Sequence, residues 1–225
     1  MLDVGAVAAR SGPAVGAAAE AARLLPAIEG LCARLDVPIS ADTFNPEVAR
    51  AAAVAGAVVI NDIGGGRDEM LEVVAEAGCG YVLMHIEGPP REDRPAPAYE
   101  DVVARLTEFF AERIERAREL GVDERSIAID PGMDFDLSTD DALEILGRLG
   151  ELRELGRPIF MSLSRKDFIG ALLAGSWQRR LEASERGTGT IAASVLAVAA
   201  GAEIHRLHDV EALDAIRVAG AIVGA

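Results

Sequence analysis

The chain has 225 residues, 37 of them acidic and 22 basic, for a net charge of −15, and half are hydrophobic. That balance excludes bulk disorder and argues against nucleic-acid or anionic-membrane partners, since no block of basic charge offsets the acid excess. Two distant cysteines, Cys32 and Cys79, form no CxxC pair, so neither a disulfide framework nor a zinc site is expected and a reducing cytoplasm is the default. No stretch reads as a membrane span and no basic leader is visible.

Along the chain, short β-branched runs alternate with longer Ala/Leu/Glu/Arg stretches, which predicts βα units around a parallel sheet. Strands are expected at 1–5, 37–41, 57–61, 81–85, 127–130, 158–162 and 203–207. Helices are expected at 14–34, 46–55, 68–77, 98–119, 139–155, 179–201 and 210–222. Asn45-Pro46 and Ser138-Thr139-Asp140-Asp141 supply helix starts, and Gly56, Gly78 and Gly121 supply stops. No linker divides the chain, so residues 1–225 are expected to form one domain. The one long loop, 86–97, is rich in proline and charge, as an active-site loop would be. Seven pairs are one short of a (β/α)8 barrel. The first visible strand starts at Met1, so a TIM-type barrel with its first unit missing or truncated is the expected fold class.

In such a barrel the functional side chains come from strand C-termini and the loops after them. Those positions hold Asp42-Thr43, Asn61-Asp62, Met84-His85, Asp130-Pro131-Gly132, Ser162-Leu163-Ser164-Arg165-Lys166 and Arg206-Leu207-His208-Asp209. Each residue alone has a plain structural use. Asp42 suits a helix cap, Asn61 and Asp130 suit turns, His85 suits a core, and Arg206 and His208 suit a surface cluster with Asp209. Gly64-Gly65-Gly66 is a weak phosphate cradle, lacking the Lys-Ser/Thr of a P-loop. Six consecutive strands delivering polar groups to one rim is the more specific signal. Asp42, Asn61 and Asp130 offer acceptors and one amide, matching the N–H donors and ring nitrogens of an aminopyrimidine. Lys166, Arg206 and His208 offer cations suited to an anionic leaving group such as diphosphate.

Six segments resemble the dihydropteroate synthase family of pterin-binding barrels: 39–43 (Ile-Ser-Ala-Asp-Thr), 60–64, 83–88, 129–133, 164–170 (Ser-Arg-Lys-Asp-Phe-Ile-Gly) and 206–210. They occur in the family's order across the chain. The resemblance implies condensation of 6-hydroxymethyl-7,8-dihydropterin diphosphate with 4-aminobenzoate to 7,8-dihydropteroate and diphosphate, with Mg²⁺ on the diphosphate. It implies that Asp42, Asn61, Asp130 and Lys166 line the pterin pocket, with Met84 and Phe135 against the ring. It places Ser164 near 4-aminobenzoate, Arg206 and His208 on the diphosphate, and matches Arg10 to a family arginine. Lys166, Arg206 and His208 are the residues it gives a catalytic part. A homodimer contacting through the last helices is also implied.

Several positions depart from the family. Its opening strand and Asn-x-Thr-Pro-Asp-Ser-Phe loop have no counterpart, and Ala9 replaces a threonine. The usual Pro-Gly-Ile-Gly-Phe-Gly-Lys reads Pro131-Gly-Met-Asp-Phe-Asp-Leu137, and Ser162 replaces a glycine. Asp134 and Asp136 are expected to raise the pKa of Asp130 and repel an anionic ligand. These changes motivate an alternative: a paralogue that binds a pterin without turnover. Lys166→Ala is expected to abolish pterin-diphosphate binding at little cost in stability, as for an exposed side chain.

Overall fold

The computed structural model describes residues 1–9, 12–92, 94 and 97–224. The chain divides into two compact units, residues 1–94 with 110–129, and residues 95–109 with 130–225. Seven strands and eight α-helices occur among the described residues.

In the first unit the order is β1 (Leu2–Gly5), α1 (Ala17–Cys32), β2 (Ile39–Asp42), α2 (Pro46–Val54), β3 (Val59–Asp62), α3 (Asp68–Ala77) and β4 (Gly80–Met84). β5 (Ile127–Asp130) follows, and its last residue begins the second unit. The sheet order is β1-β2-β3-β4-β5, and β1 to β4 pair in parallel. Parallel strands need crossovers, which the helices between them supply. The strands are buried by Ile39, Ala41, Ile60 and Leu83, and the helices by Leu24, Ile28, Val48, Met70, Leu71 and Val74. Two predicted signals act locally as expected. The Asn45 side chain accepts from the Glu47 amide at 3.0 Å, and Gly78 closes α3 at φ 61°. Asn45, not Asp42, caps α2.

The loop after β3 is held by a buried acid. Asp62 accepts from the Gly64 amide at 2.6 Å, the Gly66 amide at 3.2 Å and the Tyr81 hydroxyl at 2.6 Å. The Gly64 and Gly66 amides thus face a carboxylate, which answers the phosphate-cradle reading of this segment. Burial raises the pKa of Asp62, opposed by those three hydrogen bonds and by Arg67. Gly66 stands at φ 68°, and a Cβ there would lie 2.7 Å from Leu83 Cδ1. Gly66→Ala combines left-handed strain with overpacking and is expected to destabilise by about 2–3 kcal/mol. A denaturation midpoint equal to the parent's would refute this account of the turn.

In the second unit, α5 (Thr139–Arg148) starts at the predicted capping box. Ser138 Oγ accepts from the Asp141 amide at 3.1 Å, and Asp141 accepts from the Ser138 amide at 2.7 Å. The predicted helix 139–155 continues beyond Arg148 only as a 3₁₀ segment, Leu149–Leu155. β6 (Phe160–Met161) and β7 (Ile204–His205) form a two-stranded parallel sheet, shorter than the strands expected at 158–162 and 203–207. Between them lie α6 (Asp167–Ala174) and α7 (Gly187–Ala199), and α8 (Glu211–Val223) follows β7. The expectation of one helix over 179–201 is corrected here. An unpredicted helix, α6, precedes it, and the second helix starts only at Gly187. Between them residues 175–186 form only a short 3₁₀ turn, Ala183–Glu185, and Arg186, 6% exposed, donates back to the Leu181 carbonyl at 2.7 Å. α4 (Val102–Glu119) contributes its first turns to this unit and the rest to the first. No helix among the described residues is long and apolar enough to cross a membrane.

Candidate active site

In the first unit, the strand register places the predicted acceptors. Gly5 pairs with Asp42, and Asp42 with Asn61, in one row at the C-terminal ends of β1, β2 and β3. Gly5 leaves room for its neighbour, since a Cβ there would lie 3.2 Å from the Asp42 Cβ. Asn61 is buried and its amide donates to Asp3 Oδ2 at 3.1 Å, which fixes the orientation of its carboxamide. Met84 closes β4 and is 2% exposed. His85 beside it is fully buried, with Nε2 3.2 Å from Glu87 Oε1, as a core histidine would be. Arg10 lies outside the described residues.

The second unit gathers most of the other candidates. Asp130 ends β5 and is 4% exposed. Gly132, at φ 76°, turns its amide back onto Asp130 Oδ1 at 2.9 Å. Burial pushes the Asp130 pKa up to about 6, opposed by the Gly132 amide and then by the charges of Lys166 and Arg206. Asp134 is not among the causes, so the expectation that it raises this pKa is corrected. The Asp134 carboxylate points elsewhere, accepting from the Asp167 amide at 2.5 Å and the Phe168 amide at 3.1 Å. Asp136 offers its carbonyl to the Tyr99 hydroxyl at 3.4 Å.

Lys166 is half-buried, not exposed as expected. Its Nζ donates to the Met133 carbonyl at 2.7 Å and stands 4.9 Å from the centre of the Phe135 ring. It is the single lysine among 22 basic residues. The chain, which uses arginine at every other Lys/Arg position, places a compact, rotatable ammonium here rather than a planar guanidinium.

The residues around Lys166 hold its backbone. Arg165 stands at φ 59°, receives support at its amide from Thr190 Oγ1 at 3.0 Å, and pairs with Asp209 at 2.5 Å. Arg186 donates to the Arg165 carbonyl at 2.8 Å and to Asp167 Oδ1 at 2.7 Å. Asp209 thus pairs with Arg165, and its charge also reaches His208. His208 instead approaches Ser164: its amide donates to Ser164 Oγ at 3.2 Å, and Nδ1 lies 2.9 Å from the same oxygen. Partial burial, then the charges of Arg206, Arg165 and Lys166, hold the His208 pKa below its usual value. These causes all favour the neutral imidazole.

Chemically, the second unit offers a desolvated carboxylate beside cations, with an aromatic ring under the ammonium. Such a carboxylate binds N–H donors strongly, and the cations suit an anion. Sequence reasoning missed Arg186 and the capping use of Asp134. The buried arginine carried no local signal, because its partners are 5 to 21 residues away. Among the described residues, no group of three or more His, Cys, Asp or Glu is placed to hold a metal ion.

Residues 1–208 match the family of pterin binding enzymes. The chain is 37% identical over 228 residues to the dihydropteroate synthase of Escherichia coli K12, covering all of this chain and 79% of that protein. It is 41% identical over 223 residues to the inactive dihydropteroate synthase 2 of Mycobacterium leprae, covering 94% and 73%. The solved dihydropteroate synthase of Xanthomonas albilineans with 4-aminobenzoic acid matches at TM-score 0.90 and 42% identity, covering 100% of this chain and 80% of that one. The same enzyme with 7,8-dihydropteroate matches at 0.86 and 41%, covering 100% and 79%. These likenesses give the chain the TIM-barrel class of α/β fold.

Proposed function

The chain belongs to the pterin-binding enzyme family, and from that premise we propose that it is a dihydropteroate synthase. It joins 6-hydroxymethyl-7,8-dihydropterin diphosphate to 4-aminobenzoate. The amine nitrogen attacks the exocyclic methylene carbon, a C–N bond forms, and the C–O bond to diphosphate breaks. The electron pair leaves with diphosphate, and the nitrogen releases one proton to solvent. The likeness to an enzyme solved with both 4-aminobenzoic acid and 7,8-dihydropteroate supports this choice.

The observation that carries the reading is Asp130, buried, with a pKa of about 6, under the influence of Lys166 and Arg206. A buried carboxylate at this pKa gains most from a ligand that brings its own N–H donors, as the pterin amine and ring nitrogens do. Lys166 supplies the complementary donor, and Phe135 an aromatic face for the ring. Arg206 and His208 take the diphosphate, and His208 can gain a proton as the anion arrives. Ser164, which holds His208, is assigned to the 4-aminobenzoate side. Asp42, Asn61, Met84 and Arg10 take their parts in pterin binding from the family motifs. Mg²⁺ is proposed to enter on the diphosphate, where it would neutralise charge on the leaving group. No protein cluster for it occurs among the described residues, and no step here depends on one.

A coupled assay of diphosphate release on mixing both substrates tests the reading. Release that requires 4-aminobenzoate supports it, and pterin binding without release favours the non-catalytic alternative. Of the relatives above, only the inactive M. leprae protein hints at that alternative, at an identity no higher than that to the X. albilineans synthase. Against it, Asp134 caps a helix, which removes one of its motives.

A homodimer through α7 and α8 is part of the proposal. α8 is apolar on most of its surface, yet Val218 is 60% and Ile222 72% exposed, and Leu196 on α7 is 65% exposed. Apolar side chains exposed together on a helix face call for cover. Leu196→Asp with Ile222→Asp is expected to convert a dimer to a monomer in sedimentation. An unchanged mass would refute this interface. The reaction is placed in the cytoplasm, where free thiols such as Cys32 and Cys79 persist.

A further inference from the structure

Asp134 stands at φ 68°, in the left-handed region. A residue with a Cβ is strained there by about 1 kcal/mol, Asp and Asn least. Its side chain is 8% exposed and accepts from two amides, those of Asp167 and Phe168, at 2.5 and 3.1 Å. They are the first two amides of α6. The N-cap of that helix is Lys166, whose side chain makes no capping hydrogen bond. A carboxylate from a distant loop thus satisfies orphan donors at the positive end of the helix. On either side of Asp134, the same loop provides two groups that contact the Lys166 ammonium. Met133 gives the carbonyl at 2.7 Å and Phe135 the ring at 4.9 Å.

We propose that Asp134 is a positioning residue for Lys166. One loop grips the lysine at two places, its ammonium through residues 133 and 135 and its following backbone through residue 134. Asp134 touches no substrate in this account and acts only through the lysine. The consequence for binding rests on the assignment of Lys166 to the pterin, made above.

Because Lys166 is the only lysine, labelling with [¹³C,¹⁵N]lysine gives one side-chain spin system. In the parent chain its ε-methylene signals should be displaced by the Phe135 ring. Asp134→Gly keeps the left-handed backbone accessible and removes the carboxylate. It is expected to return those signals toward free-lysine positions. It is also expected to raise KM for the pterin diphosphate about tenfold, with KM for 4-aminobenzoate changed less than about twofold. Asp134→Asn tolerates the same backbone and keeps one acceptor, so it should fall between. Unmoved lysine signals in Asp134→Gly overturn the proposal whatever the kinetics. Lysine signals that return toward free-lysine positions in Asp134→Gly with an unchanged KM for the pterin also overturn it. A parent chain that binds no pterin refutes the functional reading instead, and the spectra still decide whether Asp134 positions the lysine.

Discussion

Asp130→Asn is expected to make the chain more stable at pH 8 while removing most of its affinity for the pterin substrate. The carboxyl pKa of about 6 lies above the value near 3.9 of an unfolded aspartate. A raised acid pKa means that its stabilising contribution is complete below about pH 4 and lost as pH rises through about 6. Above that window the folded chain carries a desolvated charge, at a cost of roughly 2–3 kcal/mol. Asparagine removes the charge and keeps the acceptor for the Gly132 amide. Urea denaturation should therefore show the variant ahead by that amount at pH 8, with the gap closing toward pH 4. A gap independent of pH would contradict the burial account. Binding moves the other way, because the N–H donors of the pterin lose a charged acceptor and meet a neutral amide that accepts at its oxygen only. The expected loss is about 100- to 1,000-fold. In the parent chain, affinity for the pterin should fall as pH drops below about 6.

Lys166→Ala is expected to reduce binding of the pterin diphosphate on the order of 100-fold. The contacts with the Met133 carbonyl and the Phe135 ring imply a stability cost of about 1–2 kcal/mol, more than an exposed residue would show. The change has a second signature. Lys166 is one of the charges that hold the Asp130 pKa down, so its removal should shift the pH dependence of stability upward. Lys166→Arg should recover less than a tenth of the binding, since the guanidinium is longer, planar and less easily turned. Full recovery by arginine would mean that charge alone matters here.

Much of this architecture can be read from sequence because the signals are local. β5 falls at 127–130 as expected, since Ile127-Ala-Ile-Asp130 ends at a Pro-Gly turn. The caps at Asn45 and Ser138 act through residues two and three positions away. The strand-end polar residues follow from the parallel register, which sets Asp42 beside Asn61. What was not legible depends on tertiary partners. α6 is eight residues long, too short to announce itself by periodicity, and its cap arrives from Asp134, 33 residues earlier. Charge near Asp130 in sequence suggested repulsion, but direction decides, and φ 68° turns Asp134 to the helix. The late start of α7 goes with hydrogen bonds of Arg186 to the Arg165 carbonyl and to Asp167, 21 and 19 residues earlier, which no short window around that residue contains.

The central claim is tested most directly by product analysis. The chain is incubated with 6-hydroxymethyl-7,8-dihydropterin diphosphate and 4-aminobenzoate, and 7,8-dihydropteroate is measured by mass spectrometry against released diphosphate. The account predicts one dihydropteroate per diphosphate, with both falling together in Asp130→Asn and Lys166→Ala at subsaturating pterin diphosphate. Tight binding of the pterin diphosphate with no dihydropteroate would contradict it and make the chain a pterin-binding protein without turnover.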